Sequence, residues 1–221
     1  MTTPARPALT RDRVLEGALA LADEVGMEGF TIRRLAERLE TKPMSIYHHV
    51  PSKEEIVDGM VDRVFEEIEL PPEDLEWREA IRVRCDAARE VLRRHPWAPP
   101  LMESRTRPGP ASLRHHDAML ATLRRGGLSW ELTAHGYAIL DSFVYGFALE
   151  EASLPGGGGS EMTDMAGELA EVFADYPTLA AFTTEWVLRP GYAFGASFEF
   201  GLDLIIEGLA RGVGEAGSDR E

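Results

Sequence analysis

Residues 31–53, TIRRLAERLETKPMSIYHHVPSK, decide the fold of this 221-residue chain. They contain two short segments with helical spacing, the first capped by Thr31 and the second opened by Pro43, where a missing N–H costs little. Ile32, Leu35, Ala36 and Leu39 form the predicted buried face of the first segment, and Ile46 and Val50 that of the second. Two short helices joined by a tight turn and packed on a longer helix are typical of a helix-turn-helix, whose second helix enters the major groove of DNA.

The segments on either side complete an N-terminal domain. Before the corner, an apolar stripe with helical spacing is opened by Thr10, with Asp12 in its first turn, and ended by Gly26; it comprises Val14, Ala18, Leu21, Ala22 and Val25. After the corner, Ser52-Lys53-Glu54-Glu55 is a capping box that begins a long helix. Its apolar side comprises Ile56, Val57, Met60, Val61, Val64, Phe65 and Ile68. Because Pro71-Pro72 closes this helix, we predict a DNA-binding domain over 1–70, with a linker helix from 52, and a second domain over 71–221.

The second domain also has helical periodicity, and the alternation typical of strands is scarce, so the fold class is all-α. We predict helices at 74–94, 111–125, 129–152, 161–175, 177–188 and 191–212, an irregular proline-rich crossing at 97–110 and a frayed tail after 212. The glycine-rich run 154–160 lacks the Gly-Lys-Ser/Thr ending of a phosphate-binding loop, and no strand precedes it, so it is interpreted as a linker.

The net charge of −15 argues at first against a nucleic-acid partner. However, residues 1–53 carry 8 basic and 7 acidic side chains, whereas 54–221 carry 15 and 31. Within 31–53, five cations face two anions. The negative charge therefore lies beyond the first quarter of the chain, and the helix-turn-helix segment is locally cationic.

The outward side of the second short helix has the mixture of groups that contacts base edges and phosphates. Ile46 and Val50 face inward, which leaves polar, aromatic and cationic side chains outside: Lys42, Pro43, Ser45, Tyr47 and His48 or His49. The alternative is that Tyr47 and the histidines are solvated or core-edge groups of an ordinary helical corner.

Residues 18–53 resemble the DNA-binding domain of the tetracycline-repressor (TetR) family. They show its ALxLxxxxGxxGxT opening, its RxLAxxL second helix and, as IYHHVPSK, its recognition element. The resemblance implies a DNA-backbone contact from Thr31, a base contact from Arg33, and base reading by Pro43, Met44 and Ser45. It also implies phosphate contacts from Tyr47, His49 and Lys53; with Arg34, Lys42 and His48 these form the expected DNA-binding set. Glu40 stands where the family has a corner glycine, so we expect a strained or differently built turn.

The similarity continues toward the tetracycline-type C-terminal domain in HPWAPPLMESRTRPGP at 95–110, LEE at 149–151 and FGLDLIIEGL at 200–209. It implies that the helices at 129–152 and 191–212 pair with their symmetry mates in a four-helix bundle. The broad apolar face of 191–212 also favours a homodimer. The expected interface comprises Tyr137, Leu140, Val144, Phe198, Leu202, Ile205, Ile206 and Leu209.

The resemblance further implies a small-molecule pocket in the second domain. Glu103 stands where tetracycline repressors have a histidine that coordinates a drug-borne magnesium ion, and Glu150 matches an acidic residue supplied by the partner subunit. Since other drug-contacting positions differ, we expect no metal, no cofactor, and a largely apolar effector other than tetracycline. The candidate pocket residues are Trp97, Met102, Glu103, Thr106, His116, Tyr137, Asp141, Phe143, Phe147 and Glu150; the aromatic ones alternatively belong to the core.

Three polar features of the second domain could be either functional or structural. Adjacent histidines on a helix point about 100° apart, so His115-His116 is expected to be a solvated pair rather than a metal site. His135 and Asp141 lie in an otherwise apolar helix and are expected either to hydrogen-bond across the dimer or to meet the ligand. Cys85, the single cysteine, is expected to be an inert, half-buried thiol.

The sequence thus predicts a cytoplasmic, non-enzymatic regulator, with no membrane span, that binds double-stranded operator DNA and releases it when a small molecule binds. No nucleophile-base set, zinc spacing or nucleotide loop is visible. The alternative is a helical carrier or enzyme on the same scaffold that does not bind DNA.

Overall fold

The computed structural model describes residues 8–70, 73–104, 107–154, 164, 165, 167, 169 and 172–218, with the backbone alone at 174 and 214–218. No β-strand occurs in these ranges, which confirms the all-α class. The α-helices are α1 Arg11–Gly29, α2 Ile32–Arg38, α3 Pro43–Tyr47, α4 Lys53–Glu67, α5 Trp77–Arg94, α6 Pro99–Ser104, α7 Pro110–Arg125, α8 Trp130–Ser153, α9 Pro177–Phe182 and α10 Ala196–Ser218.

The N-terminal helices begin where the sequence predicts. Thr10 Oγ1 accepts a hydrogen bond from the Arg13 amide at 3.2 Å, and Ser52 Oγ accepts one from the Glu55 amide at 3.0 Å. The backbone leaves helical geometry at Gly26, with φ of 66°, so that glycine interrupts α1 as predicted. Helix α1 packs against α2 and α4, and α2 packs against α3, which gives the expected three-helix corner.

The C-terminal helices surround a second part of the same core. Helix α5 packs on α7 and α8, and α10 packs on α8. The proline-rich segment 97–110 contains the short helix α6, which was not predicted. The last helix begins at Ala196 rather than 191, because Gly191 has φ of 84° and the chain turns before it becomes helical.

The other predicted segments have mixed outcomes. The predicted helix at 161–175 lies largely outside the described residues, and its end, Val172–Asp175, forms a 3₁₀ turn. The helix predicted at 177–188 is α9 continued by a π-helical turn, Thr183–Val187. The backbone is helical to Ser218, so the last helix extends beyond its predicted end at 212. Of the predicted linker 154–160, only Leu154 is described.

Helix α4 joins the two halves through α7, where Asp62 Oδ1 accepts hydrogen bonds from the Ala111 and Ser112 amides at 2.9 and 3.0 Å. A carboxylate at a helix N-terminus satisfies amides that have no helical partner. Gly109 makes the approach possible, because a Cβ there would lie 2.2 Å from the Asp62 carboxyl carbon. The linker helix is therefore fastened to the start of α7; the domain boundary at 70–71 stays a prediction.

A second junction lies around His95, which is buried after the end of α5. Its Nδ1 lies 2.7 Å from Asp23 Oδ1 of α1, and its Nε2 lies 3.2 Å from Glu67 Oε2 of α4. Trp97 Nε1 donates to the same Asp23 oxygen at 2.7 Å. These contacts hold α1 and the end of α4 against the C-terminal helices.

Candidate functional site

The helix-turn-helix presents an exposed polar surface, here named the outer corner: the outward-facing side chains of residues 31–49 together with Lys53. Ile46 and Val50 are buried beneath it, as predicted. Of the predicted DNA-binding residues, Ser45 and Tyr47 are half-buried. The rest are exposed: Thr31, Arg33, Arg34, Lys42, Pro43, Met44, His48, His49 and Lys53. The structure thus leaves these side chains on the outside of the domain, open to a partner.

Local contacts position the cations of the outer corner without burying them. Arg33 Nε donates to Glu37 Oε1 at 3.0 Å, in a pair whose side chains are 86% and 62% exposed. Such an exposed pair contributes at most about 1 kcal/mol to stability, so the guanidinium can exchange it for a contact with DNA. Arg34 Nη1 donates to the Gly29 carbonyl at 3.0 Å, and Lys53 Nζ lies 5.7 Å from the centre of the Phe30 ring.

The turn between α2 and α3 is a Schellman motif. The Thr41 amide donates to the Ala36 carbonyl at 2.8 Å, and the Glu40 amide donates to the Glu37 carbonyl at 3.0 Å. This motif requires a left-handed residue after the helix, usually glycine. Glu40 occupies that position with φ of 50°, so the corner keeps the ordinary geometry and accepts the strain of a Cβ.

Glu40→Gly is expected to stabilise the protein by about 0.5 to 1 kcal/mol. A left-handed residue with a Cβ costs about 1 to 2 kcal/mol, and the greater freedom of glycine in the unfolded chain offsets about half of that. Urea unfolding of both proteins measures the difference. Glu37→Gly, in the interior of α2, is the control and should instead destabilise by about 1 kcal/mol. Equal destabilisation by both changes would show that the corner is unstrained.

The core of the C-terminal half contains a chain of polar side chains. Arg84 Nη2 donates to Asp141 Oδ1 at 2.9 Å, and both side chains are buried. The Tyr137 hydroxyl hydrogen-bonds to His116 Nδ1, and His116 Nε2 lies 3.2 Å from Ser112 Oγ. Asp141 therefore has its partner within its own chain. This corrects the expectation that it bonds across the dimer; His135, by contrast, is exposed.

The predicted solvation of His115-His116 is also wrong. His115 is only 3% exposed, His116 is half-buried, and both rings lie against Phe65 at centroid distances of 5.6 and 5.8 Å. Helix α7, which carries the pair, packs against both α4 and α8, and these helices cover the two histidines. Cys85 is completely buried rather than half-buried, and burial raises the pKa of its thiol to about 11, consistent with an inert group.

Burial, with a smaller contribution from Arg84, lowers the pKa of His115 to about 4 from 6.5. The unfolded chain therefore binds a proton at a pH where the folded chain does not, and stability falls as pH falls from about 7 toward 4. We expect a loss of about 2 kcal/mol from this residue between about pH 7 and pH 5.

Urea unfolding at both pH values measures this loss. His115→Phe should reduce the pH dependence by about that amount, whereas His135→Phe, at an exposed position, should leave it unchanged. The same pH dependence in wild type and His115→Phe would contradict the assignment.

A cavity of about 130 Å³ lies between α4, α6 and α7. Helix α4 contributes Asp58, Val61, Asp62 and Phe65, and the remaining walls are Met102, Arg107, Pro108, Gly109, Ser112 and His116. The cavity thus touches both the linker helix and, through His116, the buried polar chain.

The structure brings together four of the predicted pocket residues. Met102 and His116 line the cavity, and Tyr137 and Asp141 join them through the polar chain. Sequence reasoning missed Arg84, although its place in the stripe of Ile81, Cys85 and Ala88 marked a charge on the buried face of α5.

The other pocket candidates lie elsewhere. Trp97 bonds to Asp23, while Phe143 and Phe147 pack in a ring cluster with Phe194 and Phe198, so these three belong to the core. Glu103 and Glu150 are exposed, and Thr106 lies outside the described residues. Within the described ranges, no group of three His, Cys, Asp or Glu side chains is arranged to hold a metal ion.

The predicted dimer residues need a correction. Leu140, Val144, Phe198, Leu202, Ile206 and Leu209 are at most 5% exposed within a single chain, and Tyr137 and Ile205 are half-buried. A side chain already covered by its own chain has no surface left for a partner. The exposed apolar residues of α8 and α10 are instead Trp130, Ile139, Leu149, Phe200 and Leu204.

Comparisons with known proteins match this architecture. Residues 14–60 match the family described as bacterial regulatory proteins, tetR family, and residues 70–213 match the tetracyclin repressor-like C-terminal domain. The HTH-type transcriptional repressor DrrR1 of Streptomyces coeruleorubidus is 33% identical, over 92% of this chain and 78% of that protein.

Two solved structures of ActR from Streptomyces coelicolor are similar in fold. The apo structure has a TM-score of 0.79 and 32% identity, covering 96% of this chain and 100% of that chain. The complex with actinorhodin has a TM-score of 0.78 and 32% identity, covering 94% and 100%. In the described ranges, every helix is too short or too polar to cross a membrane.

Because both family models match and together span most of the sequence, the chain belongs to the TetR family of transcriptional regulators.

Proposed function

We propose that this chain is a homodimeric repressor that binds operator DNA through the outer corner and releases it when a small molecule enters the cavity between α4, α6 and α7. The observation that carries this proposal is the exposed outer corner, which is locally cationic in a chain of net charge −15. Phosphate binding accounts for such a surface, whereas a carrier without DNA binding has no need of it.

Helix α4 supplies the coupling between the two sites. It begins with Lys53, three residues after the buried Val50 that follows α3, and in its middle Asp58, Asp62 and Phe65 line the cavity. A ligand that enlarges the cavity must displace α4 from α7, where Asp62 holds the first amides. A tenfold loss of operator affinity needs only about 1.4 kcal/mol of difference in ligand binding between the two arrangements.

The proposed dimer forms through the exposed apolar side of α8 and α10. Phe200 and Leu204 are 68% and 52% exposed on α10, and Ile139 and Leu149 are 50% and 48% exposed on α8. Since α8 and α10 pack together, two such helix pairs can form a four-helix bundle. ActR, which has the same fold, was crystallised with actinorhodin, and this supports a small-molecule effector for this chain.

Selection from a library of random-sequence duplexes tests the proposal. The full chain should enrich an inverted repeat whose half-sites are centred about one helical turn, roughly 34 to 36 Å, apart. Repeated rounds that enrich no sequence would contradict operator binding, and enrichment of a single unrepeated half-site would contradict the dimer.

A further inference from the structure

Arg84 is the most unusual side chain in the C-terminal core, because it is a large cation only 1% exposed. Its Nη2 donates to Asp141, but its Nε and both hydrogens of Nη1 have no hydrogen-bond partner. A buried donor without an acceptor loses the hydrogen bonds it makes with water in the unfolded chain. Three N–H groups of one guanidinium are therefore left to be satisfied.

The polar atoms nearest to Arg84 do not make hydrogen bonds of normal geometry with its Nε or Nη1. The Tyr145 hydroxyl and His115 Nδ1 are also buried and also without a partner. Burial raises the pKa of Tyr145, opposed in part by the nearby Arg84 cation, so the hydroxyl stays protonated. Arg84 therefore lies in a group of buried polar atoms that lack hydrogen-bond partners, and each of them loses free energy until a partner is supplied.

The polar chain connects Arg84 to the wall of the cavity. From Arg84 it passes through Asp141, Tyr137 and His116 to Ser112, and the last two line the cavity. Val61, Phe65 and Met102 give the same cavity apolar walls. A ligand with an apolar body could fill this cavity and extend it toward α5. Its inner end would then meet the N–H groups of Arg84.

We propose that the effector is an apolar ring compound carrying an oxygen hydrogen-bond acceptor, a carbonyl or a carboxylate, which binds the free N–H groups of Arg84. This rests on the proposed function only in placing the effector in the C-terminal core. Asp141 already balances the charge of Arg84, so an uncharged carbonyl suffices and a carboxylate is the second source of the same chemistry. Hydrogen bonds to a charged donor are the stronger kind, so the acceptor decides which ring compounds bind.

The test uses three probes of one shape: tetralin, with no oxygen; 1-tetralone, with a carbonyl; and 1,2,3,4-tetrahydro-1-naphthoate, with a carboxylate. Calorimetry on the full wild-type chain should show at least one oxygen-bearing probe binding about tenfold or more tighter than tetralin. Tighter binding of the ketone identifies an uncharged acceptor, and tighter binding of the acid identifies a charged one. Equal binding of all three probes, or no binding of any, overturns the proposal.

The variant Arg84→Met combined with Asp141→Asn removes the donors without leaving a charge unpaired. It should bind the three probes equally. Arg82→Met with Asp203→Asn removes an ion pair from the same helix, α5, at a half-exposed site and should keep the wild-type preference. If the Arg84 variant does not fold, the Arg84 Nε–H signal in wild-type NMR spectra decides: the preferred oxygen probe should shift it and tetralin should not.

Operator binding is measured separately on the unliganded wild-type chain. A chain that prefers the oxygen probes but binds no operator would refute the proposed function and leave the Arg84 assignment standing. A chain that binds operator but shows no preference would refute only the Arg84 assignment.

Discussion

Arg33→Ala is expected to weaken operator binding at least about thirtyfold at physiological salt. Arg33 is the most exposed cation of the outer corner for which an ion pair is described, and its pair with Glu37 is weak enough to give way to DNA. One lost arginine contact to DNA costs about 1 to 3 kcal/mol, and a dimer loses it twice. Fluorescence anisotropy with the selected operator measures the change.

Arg93→Ala is the matched control for this prediction. Arg93 is also an exposed arginine paired with a glutamate on its own helix, Glu90 at 3.2 Å, but it lies on α5. It should leave operator affinity unchanged, and neither variant should alter the unfolding free energy by more than about 0.5 kcal/mol. Equal loss of affinity in both would mean that net charge rather than the outer corner governs binding.

Phe200→Glu is expected to convert the proposed dimer to a monomer at micromolar concentration and to weaken operator binding about a hundredfold. Phe200 is 68% exposed on α10, and a carboxylate there has to be desolvated for the bundle to form. A monomer binds each half-site separately and loses the effective concentration that linked half-sites provide. Sedimentation velocity gives the mass, and anisotropy gives the affinity.

Leu113→Glu serves as the control for the dimer prediction. Leu113 is 55% exposed on α7, a helix that supplies none of the proposed dimer residues. The Leu113→Glu substitution should leave both the mass in sedimentation and the operator affinity unchanged. A Phe200→Glu protein that remains dimeric would show that α10 does not form the interface through this side.

The helices were predictable because their signals are local. The side chains of Thr10, Thr31 and Ser52 each accept a hydrogen bond from the amide three residues later, as helix capping requires. Gly26 has a positive φ, which other residues avoid. The outer corner followed from the same rules, since Ile46 and Val50 fix which side of α3 faces inward.

The C-terminal site was harder because its determinants come from distant parts of the chain. The partner of Asp141 is Arg84, 57 residues earlier, and nothing local to α8 reveals it. Two adjacent histidines on a helix predict a solvent-exposed pair, but Phe65 of α4 packs against the His115 ring and covers it. Contacts between helices decide burial, and periodicity within one helix does not report them.

The dimer residues show a related limit. Helix α10 is apolar on two sides: Phe198, Leu202 and Ile206 face the core, whereas Phe200 and Leu204 are exposed. The hydrophobic pattern predicted a broad apolar face but gave no sign of which part its own chain covers. That assignment depends on where α8 packs, which is a tertiary property.

The salt dependence of operator binding tests most directly whether the outer corner meets DNA. In the proposed dimer, Lys42 and Lys53 are exposed cations of each protomer and should displace counterions from about four phosphates. Log affinity against log salt concentration should therefore fall with a slope of about −3.6. A slope near zero, with binding retained, would contradict the account, because the corner would then not be in contact with the duplex backbone.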